Sequence, residues 1–188
     1  MNAMTSIWIG AALPISPARM AEILQSFHLP VDPMRALLRK ESARGFFNHD
    51  GALPRRFEPH HLPAEIQQAI GWAGGWRQAF AIKPGYRKRL FREALEIDEE
   101  ATLQACSWGG PQIMGWHFRT IGFPNARAMV AAFAASAEAQ VRAVAALIVS
   151  MGLAAAMRAH DWLALAAYNG TGRREEYARE LEACYRAV

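Results

Sequence analysis

Apolar residues recur at spacings of three and four from end to end of this chain, and the strict alternation of a half-buried strand is nearly absent. The pattern predicts an all-α protein. Ser16-Pro17 pairs an N-cap with a proline at the first helical position and starts a helix to about Phe27. Asp32-Pro33 repeats the device for an amphipathic helix along residues 34–47. The stretch "FFNHDGALPRRFEPHHLP", from Phe46, holds Asp50-Gly51 and three prolines, and predicts a long loop or a short irregular hairpin. Helical patterning resumes near Ala64, again over residues 86–96, and from an Asp98 cap to about Cys106. The glycine-rich turn "SWGGPQIMG" interrupts it. An alanine-rich set then follows over residues 125–135, 136–151 with Gly152 as the stop, 161–168 and 172–187. With no repeat, low-complexity tract or linker, the expectation is a single domain over residues 1–188 with a loop-rich cleft.

One position breaks the pattern of the second helix. Met34, Leu37 and Leu38 mark a buried stripe, and the next position on it is Glu41. Arg35, Arg39 and Lys40 already charge the solvated face. A carboxyl on the apolar face near a helix C-terminus loses solvation and faces the negative end of the macrodipole, and both effects favour its protonated form. That is the property of a general acid. The other reading turns Glu41 to solvent or pairs it with an arginine such as Arg44.

At 188 residues and 52% hydrophobic, the chain is long enough to bury a sizeable core. Its net charge of +4 is uneven: residues 1–97 carry 13 Lys/Arg against 8 Asp/Glu, and residues 98–188 carry 8 against 9. The basic first half favours an anionic partner without choosing among cell-wall polymer, phospholipid and nucleic acid. Cys106 and Cys184 are too few for a disulfide framework or a thiolate zinc site, and their pairing stays open. The first basic residue is Arg19, so the apolar opening lacks the charged region of a secretory signal, and no apolar run reaches the ~20 residues of a membrane span. The expectation is synthesis as a soluble cytoplasmic chain.

Two further stretches place polar side chains where backbone can closely approach a ligand: "SWGGPQIMG" from Ser107, and "AAYNGTG", an apolar helix ending in Tyr168-Asn169-Gly170. Taken in order, "ESARGFF" from Glu41, "FEPHH" from Phe57, "CSWGGPQIMG" from Cys106 and "YNGTG" from Tyr168 resemble the motif series of the lysozyme-like superfamily of goose-type lysozymes and lytic transglycosylases. They resemble more closely still the N-acetylmuramidase family of phage endolysins. The resemblance covers about residues 30–187. It implies a lysozyme-like helical domain whose loop-rich or short-hairpin segment lies beside an active-site cleft. Glu41 matches the catalytic general acid and Glu58 the second acidic residue, a base or electrostatic partner. Gln112 matches the glutamine lining the cleft, Tyr168 and Asn169 the pair near the acid and the sugar, and Ser107 and Trp108 resemble cleft-wall residues. The chain departs from the family pattern at Ala43-Arg44 before Gly45, at Arg56 before Phe57-Glu58, and at Pro59 between Glu58 and His60.

Glu58, His60 and His61 are metal-ligand types, but adjacent histidines in a loop lack the i, i+4 spacing of a helical zinc pair and no second ligand cluster accompanies them. The reading therefore takes no metal and no cofactor. The stretch from Lys83 to Arg92 is either a solvated basic helix face or a dock for anionic wall or outer-membrane groups. The resemblance implies a monomeric peptidoglycan glycosidase that cuts between N-acetylmuramic acid and N-acetylglucosamine, acting on the wall after phage-type release or dedicated secretion. A lytic transglycosylase forming anhydro products and a catalytically silent glycan-binding protein of the same fold are the alternatives. Nucleic-acid binding has no supporting motif.

Overall fold

The computed structural model describes residues 7–41, 45–170 and 172–187, and the described part is mainly helical, as the periodicity predicts. The cap signals are realised with one exception. Ser16 accepts the Arg19 amide at 3.1 Å to start α1 (Pro17–Ser26), and Asp98, Asn125 and Ser136 do the same for α6 (Glu99–Gln104), α7 (Ala126–Ala135) and α8 (Ala137–Ser150). The exception is α2 (Val31–Glu41), which begins ahead of Asp32 and carries Asp32-Pro33 inside its first turn. A proline is tolerated there because first-turn amides have no intrahelical acceptor. At its other end α2 stops at Glu41, short of the expected run to residue 47. Gly45 takes a left-handed φ of +81° and residues 45–47 are not helical.

Between these helices run α3 (Ala64–Ala69), α4 (Trp76–Ala81) and α5 (Pro84–Ile97), and after them α9 (Ala154–Ala159), α10 (Trp162–Leu165) and α11 (Arg174–Arg186). The short α4 and α9 escape the periodicity, since six residues hold less than two full turns of signal. α11 packs along α2, α1 against α8, and α6 and α8 both against α7. The core runs through all of these, with Leu24, Leu37, Leu90, Leu103, Phe133, Val144 and Leu165 wholly buried.

The loop stretches fold differently from expectation. β1 (Arg55–Phe57) pairs antiparallel with β2 (Cys106–Trp108), and β2 with β3 (Ile113–Met114). "SWGGPQIMG" is thus the hairpin, and the region after α2 supplies a third strand from about fifty positions away. The register sets Arg56, Ser107 and Met114 side by side on one face and Phe57, Cys106, Trp108 and Ile113 on the other. The second face is buried in the core. Both cysteines are free, and the Cys106 thiol donates to the Thr102 carbonyl at 3.3 Å.

Residues ahead of α1 strap the molecule. Leu53 donates to the Trp8 carbonyl at 2.9 Å, Ala12 and Leu13 donate to the Ala134 and Ala135 carbonyls at 3.0 Å, and Ala137 donates back to Leu13. Gly10 makes that passage possible, because a Cβ there would stand 2.6 Å from the Ala134 carbonyl oxygen. No helix among the described residues is long and apolar enough to cross a membrane.

Candidate active site

Glu41 is the last residue of α2 and is partly buried, because α11 covers the stripe that Met34 and Leu37 begin. The Tyr177 hydroxyl, reaching in from α11, donates a hydrogen bond to Oε1 of Glu41. Desolvation raises the Glu41 pKa above the ordinary carboxylate value. The Tyr177 hydrogen bond and the nearby Lys40 ammonium pull the other way and do not cancel it. The alternative partner Arg44 lies outside the described residues, as do Ser42 and Ala43 of the same motif.

Tyr168 closes the next side. It sits in the 3-10 turn Ala166–Asn169 that extends α10, and its hydroxyl donates to the Pro111 carbonyl at 2.7 Å in the β2–β3 turn. The Glu41 charge and burial both raise its phenol pKa. Asn169, one position on, is exposed and its side chain makes no hydrogen bond among the described residues. The structure therefore gathers Glu41, Tyr168, Asn169 and the hairpin turn, although the chain separates them widely.

Within the hairpin, Gln112 spends its amide on the turn itself. Its Nε2 donates to the Gly109 carbonyl at 2.7 Å and its Oε1 accepts from Ser107 Oγ at 2.9 Å, with Gln112 in a left-handed conformation at φ +52°. Ser107 is 5% exposed, so both residues shape this face of the sheet from beneath. Trp108 requires a correction. It points to the opposite face, has no exposed surface, stacks on Trp8 with centroids 6.2 Å apart and donates its indole N–H to the Leu103 carbonyl at 2.9 Å. Neighbouring strand residues point to opposite faces, so Trp108 lies in the core on the face away from Ser107, and it is no cleft wall.

Glu58 follows β1 at the start of the 3-10 turn Pro59–His61, with its amide bonded to the Ala105 carbonyl at 2.9 Å. Two positions after Arg56, it continues the Ser107 side of the sheet. Arg56 Nε is 3.9 Å from its Oε1, and the Nε2 atoms of His60 and His61 are 3.7 and 3.6 Å from its Oε2. Burial lowers both histidine pKa values, so the imidazoles are neutral at pH 7. Among the described residues no interaction joins Glu58 to Glu41, and the two carboxyls have separate partners.

Two residues of this site carry no motif signal. Tyr177 is one: its place in the sequence reads only as part of the buried stripe Tyr177-Ala178-Leu181. Gln140 is the other. Wholly buried on α8, it accepts the Gly110 amide at 2.8 Å and donates to the Phe133 and Phe46 carbonyls at 3.0 and 3.3 Å, so it ties the hairpin turn to the segment that follows α2. A glutamine in an apolar helix face was the available signal. Gln140→Leu is expected to cost about 1–3 kcal/mol for each polar group left unpaired and to lower lysis by loosening the turn. Chemical denaturation beside a turbidity assay checks this.

Comparison with known proteins agrees with the geometry. Residues 30–188 match the family model described as N-acetylmuramidase. Among solved structures, the crystal structure of a Burkholderia AP3 phage endolysin superposes with a TM-score of 0.68 at 25% identity, over 92% of this chain and 70% of that one. No curated protein matches the chain.

Proposed function

We propose a role for each cleft residue from one premise: the chain belongs to the N-acetylmuramidase family and is a glycosidase that hydrolyses peptidoglycan. Glu41 is the general acid. The observation that carries this reading is its burial at the end of α2, which keeps the carboxyl protonated beyond the usual carboxylate range. Tyr177 donates to Oε1, so the proton resides on Oε2, and that oxygen is the one that faces the glycosidic oxygen leaving N-acetylmuramic acid. Tyr168 and the exposed Asn169 flank the sugar, and Gln112 and Ser107 hold the turn beneath it.

Glu58 is the base that activates water. Arg56 engages one of its oxygens, which leaves the second for a water proton. Inverting hydrolysis needs carboxyls roughly 6.5–9.5 Å apart to admit that water, whereas a retaining enzyme holds them about 5–5.5 Å apart. We take the inverting route, because the proline-bounded loop that carries Glu58 leaves room for water beside Glu41. The test is mass spectrometry and anomeric analysis of released muropeptides, beside Glu58→Gln. Expected are reducing muramic-acid ends of inverted configuration and a rate loss of about a hundredfold in the variant. Anhydro products, or near-native lysis by Glu58→Gln, would reject the assignment of Glu58.

The wall is the site of action. Synthesis in the cytoplasm as a monomeric catalytic domain belongs to the same proposal, and the structural resemblance to a phage endolysin supports its phage-type release. The stretch from Lys83 to Arg92, which caps and opens α5, holds Arg89 over the exposed Tyr86 ring at 4.8 Å and suits docking to anionic wall or outer-membrane groups.

A further inference from the structure

We propose that Glu58, His60 and His61 form a binding site for a divalent transition-metal ion of the zinc class. Their ligand atoms lie within 4.8 Å of one another. Both histidine Nε2 atoms stand 3.6–3.7 Å from the same carboxylate oxygen, Oε2. That spacing is too long for a hydrogen bond. Two ligands each about 2.0–2.1 Å from a tetrahedral zinc are about 3.3–3.4 Å apart, so both Glu58–histidine pairs are within a few tenths of an ångström of that spacing, and rotation of the two imidazoles would close the third pair.

The imidazoles are otherwise idle. Neither ring makes a hydrogen bond among the described residues, and His60 Nδ1 is buried without a hydrogen-bond partner among them. Arg56 occupies the opposite oxygen, Oε1, and leaves Oε2 to the histidines. The three side chains are 14–34% exposed, so solvent ions reach them and can keep a water in the fourth position. Two imidazoles and one carboxylate suit zinc, cobalt or nickel over calcium or magnesium, which take oxygen ligands.

Backbone geometry overturns the objection raised by sequence spacing. Residues i and i+3 eclipse on a 3-10 turn of three residues, so Glu58 and His61 meet across Pro59–His61 as i and i+4 meet on an α-helix. His60 tilts against His61 with ring centroids 3.9 Å apart, and Trp116 closes the far side at 4.5 Å.

Resting on the reading of Glu58 as the base, an occupied site withdraws that carboxylate from water activation and inhibits lysis. The experiment titrates the full, chelator-washed chain with ZnCl₂ by calorimetry and with CoCl₂ by visible absorption, for the native chain, His60→Ala and His61→Ala. Expected are one ion per chain, cobalt d–d bands typical of nitrogen ligation, and at least about tenfold weaker binding in each variant. Absence of saturable one-to-one uptake, or uptake undiminished in both variants, overturns the site. Lysis of purified peptidoglycan with and without ZnCl₂ then separates the two readings. Stoichiometric uptake with loss of lysis upholds both, whereas stoichiometric uptake with full lysis upholds the site and rejects Glu58 as the base.

Discussion

Glu41→Gln folds and loses lytic activity by about 10⁴-fold, the upper end for removal of a general acid, because glutamine keeps the shape and the Tyr177 hydrogen bond but has no proton to give. Near-native lysis by this variant would reject Glu41 as the acid. With Glu41 as the proposed acid, the native rate is expected to fall as pH rises through the elevated Glu41 pKa. Stability follows the same proton. The folded pKa lies above the unfolded one, so between the two values the folded state holds more protons and stability decreases as pH rises. Below that window the carboxyl is neutral in both states and the penalty vanishes. Glu41→Gln is therefore expected to melt higher than the native chain at neutral pH, with the gap closing in acid. Thermal melts across pH check the sign, and a variant that melts lower at neutral pH would show that the buried carboxylate stabilises the fold.

Trp108→Ala is expected to cost about 3–5 kcal/mol and to lower the melting temperature by roughly 6–20 °C. The indole is wholly enclosed between Trp8 and the α6 end, and its removal leaves a cavity and strips the Leu103 carbonyl of its donor. Against the 5–15 kcal/mol of a whole domain this is a large share. A cleft-wall residue would behave oppositely, losing affinity for glycan with little change in melting. Calorimetry on the variant separates the two roles, and an unchanged melting temperature would contradict the buried placement.

The helices were legible along the chain because each long one buries a stripe and announces its end. Ser16 and Asp98 are caps in the sequence and caps in the structure. Glu41 was legible for the same reason, since a carboxylate on the stripe of Met34 and Leu37 is a local contradiction that periodicity exposes. The family followed from the order of four motifs, and the matching family model spans residues 30–188.

The small sheet was not legible. Three strands of two or three residues carry almost no alternation, and β1 finds its partner about fifty positions away. Hence the face of Trp108 stayed undecided until register placed it opposite Ser107. The partners of the acid stayed hidden too. Tyr177 reaches Glu41 only because α11 packs on α2, and Gln140 reaches Gly110 and Phe46 only because α8 crosses behind the hairpin. The sequence by itself determined the long helices, the starts of α1 and α6 at Ser16 and Asp98, and which carboxyl is out of place, because these depend on neighbours within a few positions. Only the tertiary structure decided that Tyr177 engages Oε1 of Glu41 and that His60 and His61 converge on one oxygen of Glu58, because those depend on the backbone path that brings distant or turn-held groups within a few ångströms.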